Sequence, residues 1–393
     1  MNKIPNGWKE KKLKYIAEIT SSKRIYEYEY VDSGIPFYRG KEITALKNNQ
    51  KIENFIYISE KRYNELKEKY GVPSKYDILI TAVGTVGNAY TIEDDKPFYF
   101  KDGNLLWLKN IKEYPKFVEY LFECNKNVLL NNFFGSVQHA LTISRLENLT
   151  FYFPPLDEQK RIASALSKID AYLENTIKLI EEKERFKRGI AKKLLTCKEG
   201  ENIPEARFKG FEGEWEETQI LEFVNNNIIK IEKGKSITKS KIEEGDIPVI
   251  AGGKTPPYYH NKYNYNFPCI TISASGSAGY VWFHDYKIWA SDCHVIYTDN
   301  KRYNIKFLYH YLKNIQDLIY YLQVGGVQKH VYAKDLIKLN IPNITIEEQE
   351  KIGGYLSLFD EEIDNLKKQK ELIKEMKRGA MQKLLSGEVR LLE

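Results

Sequence analysis

The sequence predicts a tandem repeat: a mixed α/β domain and then a long helix, both written twice, with the two helices packed antiparallel under a pseudo-two-fold. Three observations predict it. The stretch EQKRIASALSKID (Glu158 to Asp170) returns as EQEKIGGYLSLFD (Glu348 to Asp360), and over Glu158 to Leu195 the copies agree at 15 of 38 positions without a gap. Apolar residues in both copies recur at helical spacing. Short β-rich runs bounded by Gly-rich turns precede each copy.

The chain has 393 residues, 42% of them apolar, enough for two domains with real cores. Net charge is +6 with pI near 8.7, mildly basic and below an obvious nucleic-acid domain. Charged residues make up 29%, mean hydropathy is −0.52, and no apolar run reaches the ~18 residues of a membrane span, so a soluble chain is expected. The N-terminal stretch lacks the apolar core of a signal peptide. Cys124, Cys197, Cys269 and Cys293 are scattered without a CxxC, which favours a reducing cytoplasm over a disulfide framework or structural zinc. The 29 tyrosines suit interfaces, but also ordinary cores and strands.

The first domain is expected over 1–153. GWKEKKL (Gly7 to Leu13) opens it and echoes GEWEETQIL (Gly213 to Leu221). SGIPFYRGK (Ser33 to Lys41) resembles GDIPVIAGGK (Gly245 to Lys254). DILIT (Asp77 to Thr81) and CITIS (Cys269 to Ser273) read as strands running into the turns AVGTVG and ASGSAG. Such turns can offer backbone N–H groups to a phosphate; they serve equally as plain tight turns. NLLWL and HVIYT follow as strands, then YPKFVEYLFEC and NIKFLYHYLKNI as helices, then the loops GSVQ and GGVQ. YISEKRYNELKEKY (Tyr57 to Tyr70) has no counterpart in the second domain, expected over 201–342.

The helices are expected over 154–200 and 343–393, started by prolines and stopped near Gly200 and Gly387. Their seam is Ile162, Leu166, Ile169 and Leu173 in one copy and Ile352, Leu356, Phe359 and Ile363 in the other. A helix of 38 residues is a rod of roughly 57 Å, too long for one compact domain to cover. Each copy therefore predicts the other as its partner, with the domains at opposite ends; the plainer alternative packs each helix on its own domain. Glu-Gln in the first turn suits a helix N-terminus. The Glu158-Gln159-Lys160 pattern of some metal nucleases is lost in Glu348-Gln349-Glu350.

Catalytic signatures are missing. EKGKS and GGKT carry the tail of a phosphate-binding loop, but Ile229 and Pro248 stand where its leading glycine belongs. TPPYY (Thr255 to Tyr259) lacks the Asn or Asp that would hold a target amine. Cys293-His294 has no second ligand pair at zinc spacing. This favours a binding or scaffold protein. Loop residues placed to meet a polyanion are Lys23, Arg24, Arg39, Lys41, Thr85 and Gln138 in the first domain. In the second they are Lys254, Thr255, Ser275, Gln328, Lys329 and His330. Arg and Lys suit phosphate or guanine, and Gln suits adenine; taken singly, each is also an ordinary solvated side chain.

The doubled Glu-Gln helix with its Lys-Arg-Gly and Lys-Leu-Leu ends, the join RFKGFEGEWEE (Arg207 to Glu217) and the opening IPNGWKEKKL (Ile4 to Leu13) carry a likeness over essentially the whole chain. The chain resembles the DNA specificity subunit of type I restriction–modification systems. The resemblance implies two target-recognition domains, each reading one half of a split double-stranded DNA sequence. It implies that the helices set the spacing and dock two methyltransferase subunits that use S-adenosylmethionine. Two motor–nuclease subunits using ATP and Mg join for restriction. It implies no cofactor, metal or catalysis in this chain. Unlike domains imply an asymmetric target. An enzyme with an unrecognised site, a protein-binding scaffold, and a specificity subunit of a fused or inactive system are the other readings.

Overall fold

The computed structural model describes residues 5–130 and 140–391. Its contacts group the chain into two units: Met1–Ile177 with Lys368–Glu393, and Lys178–Lys367. Each unit thus holds one variable domain and a portion of both long helices, Leu156–Leu195 and Ile346–Leu385.

In unit 1 the central sheet has the order Glu18–Thr20, Leu105–Lys109, Ile78–Thr81, Ala89–Thr91, all antiparallel. Ile78, Leu79, Ile80 and Thr81 are all buried because both faces are covered. One side carries the helix Pro115–Cys124 and the long helices, and the other carries a second sheet. That second sheet runs Tyr30–Val31, Ile56–Ile58, Ile35–Tyr38, Tyr99–Phe100. Between its strands lie the helices Gly40–Lys47 and Glu60–Tyr70. The stretch without a counterpart is this second helix, started by Ser59, whose hydroxyl accepts from the Arg62 N–H.

Unit 2 repeats the central sheet as Ile229–Lys233, Cys293–Thr298, Cys269–Ser273, Val281–His284, with the helix Ile305–Asn314 against it. Its second sheet is shorter: Tyr258–His260, Ile247–Ile250, Trp289–Ala290. Each unit closes with a two-stranded ribbon leading into a long helix. Lys9–Lys12 pairs with Thr150–Phe153 in unit 1, and Glu216–Gln219 with Asn340–Asn343 in unit 2. Trp8 and Trp215, the repeated tryptophans, are both buried.

The doubled residues of the long helices find reciprocal partners. In unit 1 Lys377 bridges Asp170 at 2.8 Å and Glu123 at 2.6 Å. In unit 2 Lys187 bridges Asp360, Lys183 meets Glu362 at 2.7 Å, and Lys367 meets Glu184 at 2.8 Å. Gln369 also donates to the Tyr172 hydroxyl in unit 1, so in both units numbers rise along one helix as they fall along the other, and the paired segments run antiparallel. Phe186 and Phe359 are 5.7 Å apart between centroids.

The seam needs one correction. Ile162 and Leu166 are buried in the core of unit 1 with Leu106, Phe117 and Phe153, and Ile352 and Leu356 in the core of unit 2 with Ile305 and Phe307. The first turns of each helix therefore pack on a domain as well as on the other helix. Ile169 and Leu173 are half-buried, Ile363 is buried, and Ile177 faces solvent. A two-helix contact covers only a narrow stripe, so positions off it stay wet.

Glu-Gln is more than a helix start. Glu158 takes both arms of Arg390 at 2.6 and 2.8 Å, and Glu348 takes both arms of Arg207 at 2.8 Å each. These are bidentate, charge-assisted bonds on nearly buried carboxylates. Gln159 accepts from the Tyr114 N–H at 2.9 Å and donates to Glu113 and to the Pro154 carbonyl. Gln349 accepts from the Asn304 N–H at 2.8 Å and donates to the Ile344 carbonyl. Each glutamine ties the start of its long helix to the start of the short helix packed on the central sheet, Pro115–Cys124 in unit 1 and Ile305–Asn314 in unit 2.

Candidate nucleic-acid interface

In unit 1 the chain leaves the central sheet at Thr81 and turns through Gly84 and Gly87, both at positive φ. The turn is pinned: the Gly87 N–H donates to the Thr81 carbonyl at 2.8 Å, and the Thr81 hydroxyl donates to the Thr85 carbonyl. The Thr85 hydroxyl lies 3.3 Å from that of Thr44, on the helix Gly40–Lys47. Asn88 donates to Thr44 at 3.1 Å and accepts from the Lys126 ammonium at 2.6 Å. Thr85, Arg39 and Lys41 are thereby brought to one place by two elements.

Arg39 precedes that helix and is engaged. Its guanidinium donates to Glu42 at 2.8 and 3.2 Å, and Lys41 lies 3.6 Å from the same buried carboxylate. Burial works against the Glu42 charge, yet its hydrogen bonds from Arg39 hold it below the usual carboxylate range. Arg24 donates to Asp102 at 3.1 Å. The Lys23 ammonium sits 4.9 Å from the Tyr70 ring. Lys41 and Arg24 keep two-thirds of their side chains exposed, so they retain reach toward a polyanion. Gln138 lies outside the described residues.

In unit 2 three segments converge. The Ser277 N–H donates to the Gly252 carbonyl at 2.7 Å, joining the GGKT loop to the ASGSAG turn. A Cβ on Gly252 would stand 2.6 Å from the Ser275 carbonyl, so the two backbones touch where only glycine fits. The Val331 N–H donates to the Ala274 carbonyl at 3.1 Å, which fixes the foot of the 324–330 loop. That loop is closed by a bridge between Val324 and His330. Lys254, Thr255, Gln328 and Lys329 are exposed, and His330 is half-buried and stacked on Tyr332. Ser275 is spoken for, donating to Asp292.

Buried polar residues on the sheets serve packing. His294 lies 2.9 Å from the Val331 carbonyl through Nε2, and Cys293 is buried, with its thiol pushed up to about 12 by burial. Among the described residues no group of three or more His, Cys, Asp or Glu stands together as a metal site. None of their helices is long and apolar enough to cross a membrane. What the arrangement offers is two hydrogen-bonded loop edges bearing amides, hydroxyls and cations, groups of the kind that meet phosphates and base edges.

Several residues escape a sequence reading. Arg207 and Arg390 lie at unequal distances past the helix ends, so the gap-free register that superposes the helices does not pair them. Lys313 sits in an ordinary helix and Tyr280 directly before the strand Val281–His284. The register that superposes the helices does set Glu123 over Lys313, and that reversal of charge is visible in the sequence.

A family model described as the type I restriction modification DNA specificity domain matches residues 5–182 and 212–375. A Methanocaldococcus jannaschii protein named as a type I restriction enzyme specificity subunit is 27% identical over 413 residues, covering all of this chain and 96% of that one. A Haemophilus influenzae protein named likewise is 34% identical over 167 residues, 41% of this chain and 40% of the other. In fold the chain is similar to the type I restriction–modification S subunit from M. genitalium, with TM-score 0.66, 19% identity and 98% of each chain covered. With the family model matched twice over most of its length, the chain belongs to the type I restriction–modification specificity subunits and carries two DNA specificity domains in tandem.

Proposed function

We propose that each unit reads one half of a bipartite, asymmetric double-stranded DNA target. The long helices fix the gap between the halves and dock two methyltransferase subunits. The carrying observation is the reciprocal wiring of the helices: Arg390–Glu158 and Lys377–Asp170 in unit 1 against Arg207–Glu348 and Lys187–Asp360 in unit 2. One chain thereby builds the same helical surface twice, which is what two identical partners need. The domains attached to those surfaces differ in sheet and helix content, so each presents a different loop edge to DNA.

Two modest sites on one chain act together, because binding the first half-site raises the effective concentration of the second. A 40-residue helix is ~60 Å long, against ~34–36 Å for one turn of DNA. An unread spacer between half-sites follows naturally. Catalysis belongs to the partners: methyltransferase subunits with S-adenosylmethionine, and two motor–nuclease subunits with ATP and Mg. The complex works on cytoplasmic DNA. Lys41 and Arg24 in unit 1, and Lys254, Gln328 and Lys329 in unit 2, are the contacts with free reach.

The test is a map of methylated adenine in cells carrying this gene and its neighbouring methyltransferase gene, against cells lacking this gene. The expected result is a split motif with unlike halves and a fixed gap. Identical halves would refute the asymmetry. No methylation from a soluble, assembled complex would refute DNA reading by this chain.

A further inference from the structure

Glu123 and Lys313 hold the same place in the two repeats, on the helices Pro115–Cys124 and Ile305–Asn314. In unit 1 Glu123 is clasped by Lys47 at 3.2 Å and Lys377 at 2.6 Å. Burial opposes its charge, but the two ammonium groups hold the carboxyl below its usual range. In unit 2 the counterpart of Lys377 is Lys187, and where unit 1 has its acid there is a second lysine, Lys313.

The Lys313 ammonium stands 4.2 Å from the Tyr280 ring centroid, and the Lys254 ammonium 5.6 Å from the same ring. The acceptors of Lys313 are neutral: the Val281 carbonyl at 3.3 Å and the Gln316 side-chain oxygen at 3.2 Å. Asp360, whose charge favours the Lys313 ammonium, is already bonded by Lys187. Burial, then Lys187 and Lys254, push Lys313 down to about 8. Gathering cations around neutral acceptors is unfavourable in the isolated chain, and an anion relieves it. The gathering point is the foot of the ASGSAG turn and the GGKT loop, the edge that carries the exposed Thr255, Gln328 and Lys329.

We propose that Lys313 and Lys254, set against Tyr280, form an anion site that takes one backbone phosphate of the DNA duplex. Unit 1, with Glu123 at the same place, has no such site. The proposal rests on the DNA reading given above and adds a polarity to it: the half-site under unit 2 carries the more salt-sensitive contact. A duplex phosphate fits better than a partner's carboxylate, because the site adjoins the loop edge offered to DNA.

The experiment uses the full subunit assembled with its methyltransferase partner. Affinity is measured across a salt series for a duplex with the methylated motif and for one without. Lys313→Met and Lys254→Met are each expected to weaken both duplexes by the same factor, roughly fivefold at moderate salt. Each should make the log–log salt slope shallower by about 0.9, the share of one phosphate. The double variant should lose no more slope than either single one, since one phosphate is shared. Lys254 is exposed, so its variant keeps the test alive if Lys313→Met misfolds. Folded variants with the parent's affinity and slope would overturn the site. Loss of methyltransferase binding with DNA affinity unchanged would also overturn it, in favour of a carboxylate. A parent complex that binds no duplex salt-dependently would remove the DNA reading itself, whatever the variants do.

Discussion

Tyr120 and His310 fill one niche with different chemistry. The Tyr120 hydroxyl donates to Asp170 at 2.6 Å and lies 3.1 Å from the Ser167 hydroxyl. His310 stands at the same place in unit 2, 3.1 Å from Ser357 and 3.9 Å from Asp360. This explains why Ser and Asp recur in both helices. Despite Asp360, burial and then Lys187 and Lys306 hold the His310 ring well below its ordinary titration range. His284, 2.8 Å from Thr271 through Nε2, is pushed by burial down to about 3. Both rings stay neutral in the fold, while in the unfolded chain they take up protons below about pH 6.5. Their contribution is therefore full above that value and is lost as pH falls toward the folded values, at up to ~1.4 kcal/mol per pH unit for each ring. The urea midpoint of unit 2 should drop between pH 7 and pH 5, before most carboxylates titrate. His310→Tyr, which installs the residue unit 1 uses, should make that drop shallower, leaving the share owed to His284, with pH 7 stability near the parent's. An unchanged slope would show that the ring is not held neutral.

At the scale of elements, the long helices carry glycines with opposite roles. A Cβ on Gly353 would stand 2.6 Å from the Phe307 backbone nitrogen and 3.0 Å from the Asn304 side chain that starts the helix Ile305–Asn314. Gly379 meets nothing within 4 Å. Helix propensity favours Ala over Gly by about 1 kcal/mol at either position. At Gly379 that gain stands alone, so Gly379→Ala should raise the melting temperature slightly. At Gly353 a neighbouring backbone must move, which costs ~1–3 kcal/mol, and Gly353→Ala should lower it. The first helix has Ala163 at the matching position, fully buried, so unit 1 is spaced for the methyl that unit 2 excludes. Equal effects of the two substitutions would contradict this packing.

At the scale of the whole molecule, the reciprocal helices are alike and the domains they carry are not. Unit 1 inserts the helices Gly40–Lys47 and Glu60–Tyr70 into its second sheet, where unit 2 passes directly from Ile247–Ile250 to Tyr258–His260. Replacing only the second variable domain with that of a relative should change one half of the methylated motif and keep the other half. Adenine methylation mapping reads this directly; a change in both halves would show that the domains do not read independently.

The repeat was legible because the helices must satisfy one pattern twice. A Lys and an Asp that pair between the two helices within each unit have to appear in both copies, and so do the Glu and Gln that anchor each helix start. The strands of the central sheets were legible for a similar reason: burial on both faces leaves runs such as Cys269–Ser273 and Ile78–Thr81 nearly free of charge. The loop edges were only half legible. Sequence marked their cations but could not show that Arg39 is held by Glu42 and Ser275 by Asp292, since those partners are set by turns rather than by spacing. Nor could it find the clasps of Arg207 and Arg390, which join residues 141 and 232 positions apart. Periodicity and repetition are local and survive in one dimension. Which charge is neutralised, and which is left facing outward, depends on what folding brings within a few ångströms, and that only the tertiary structure decided.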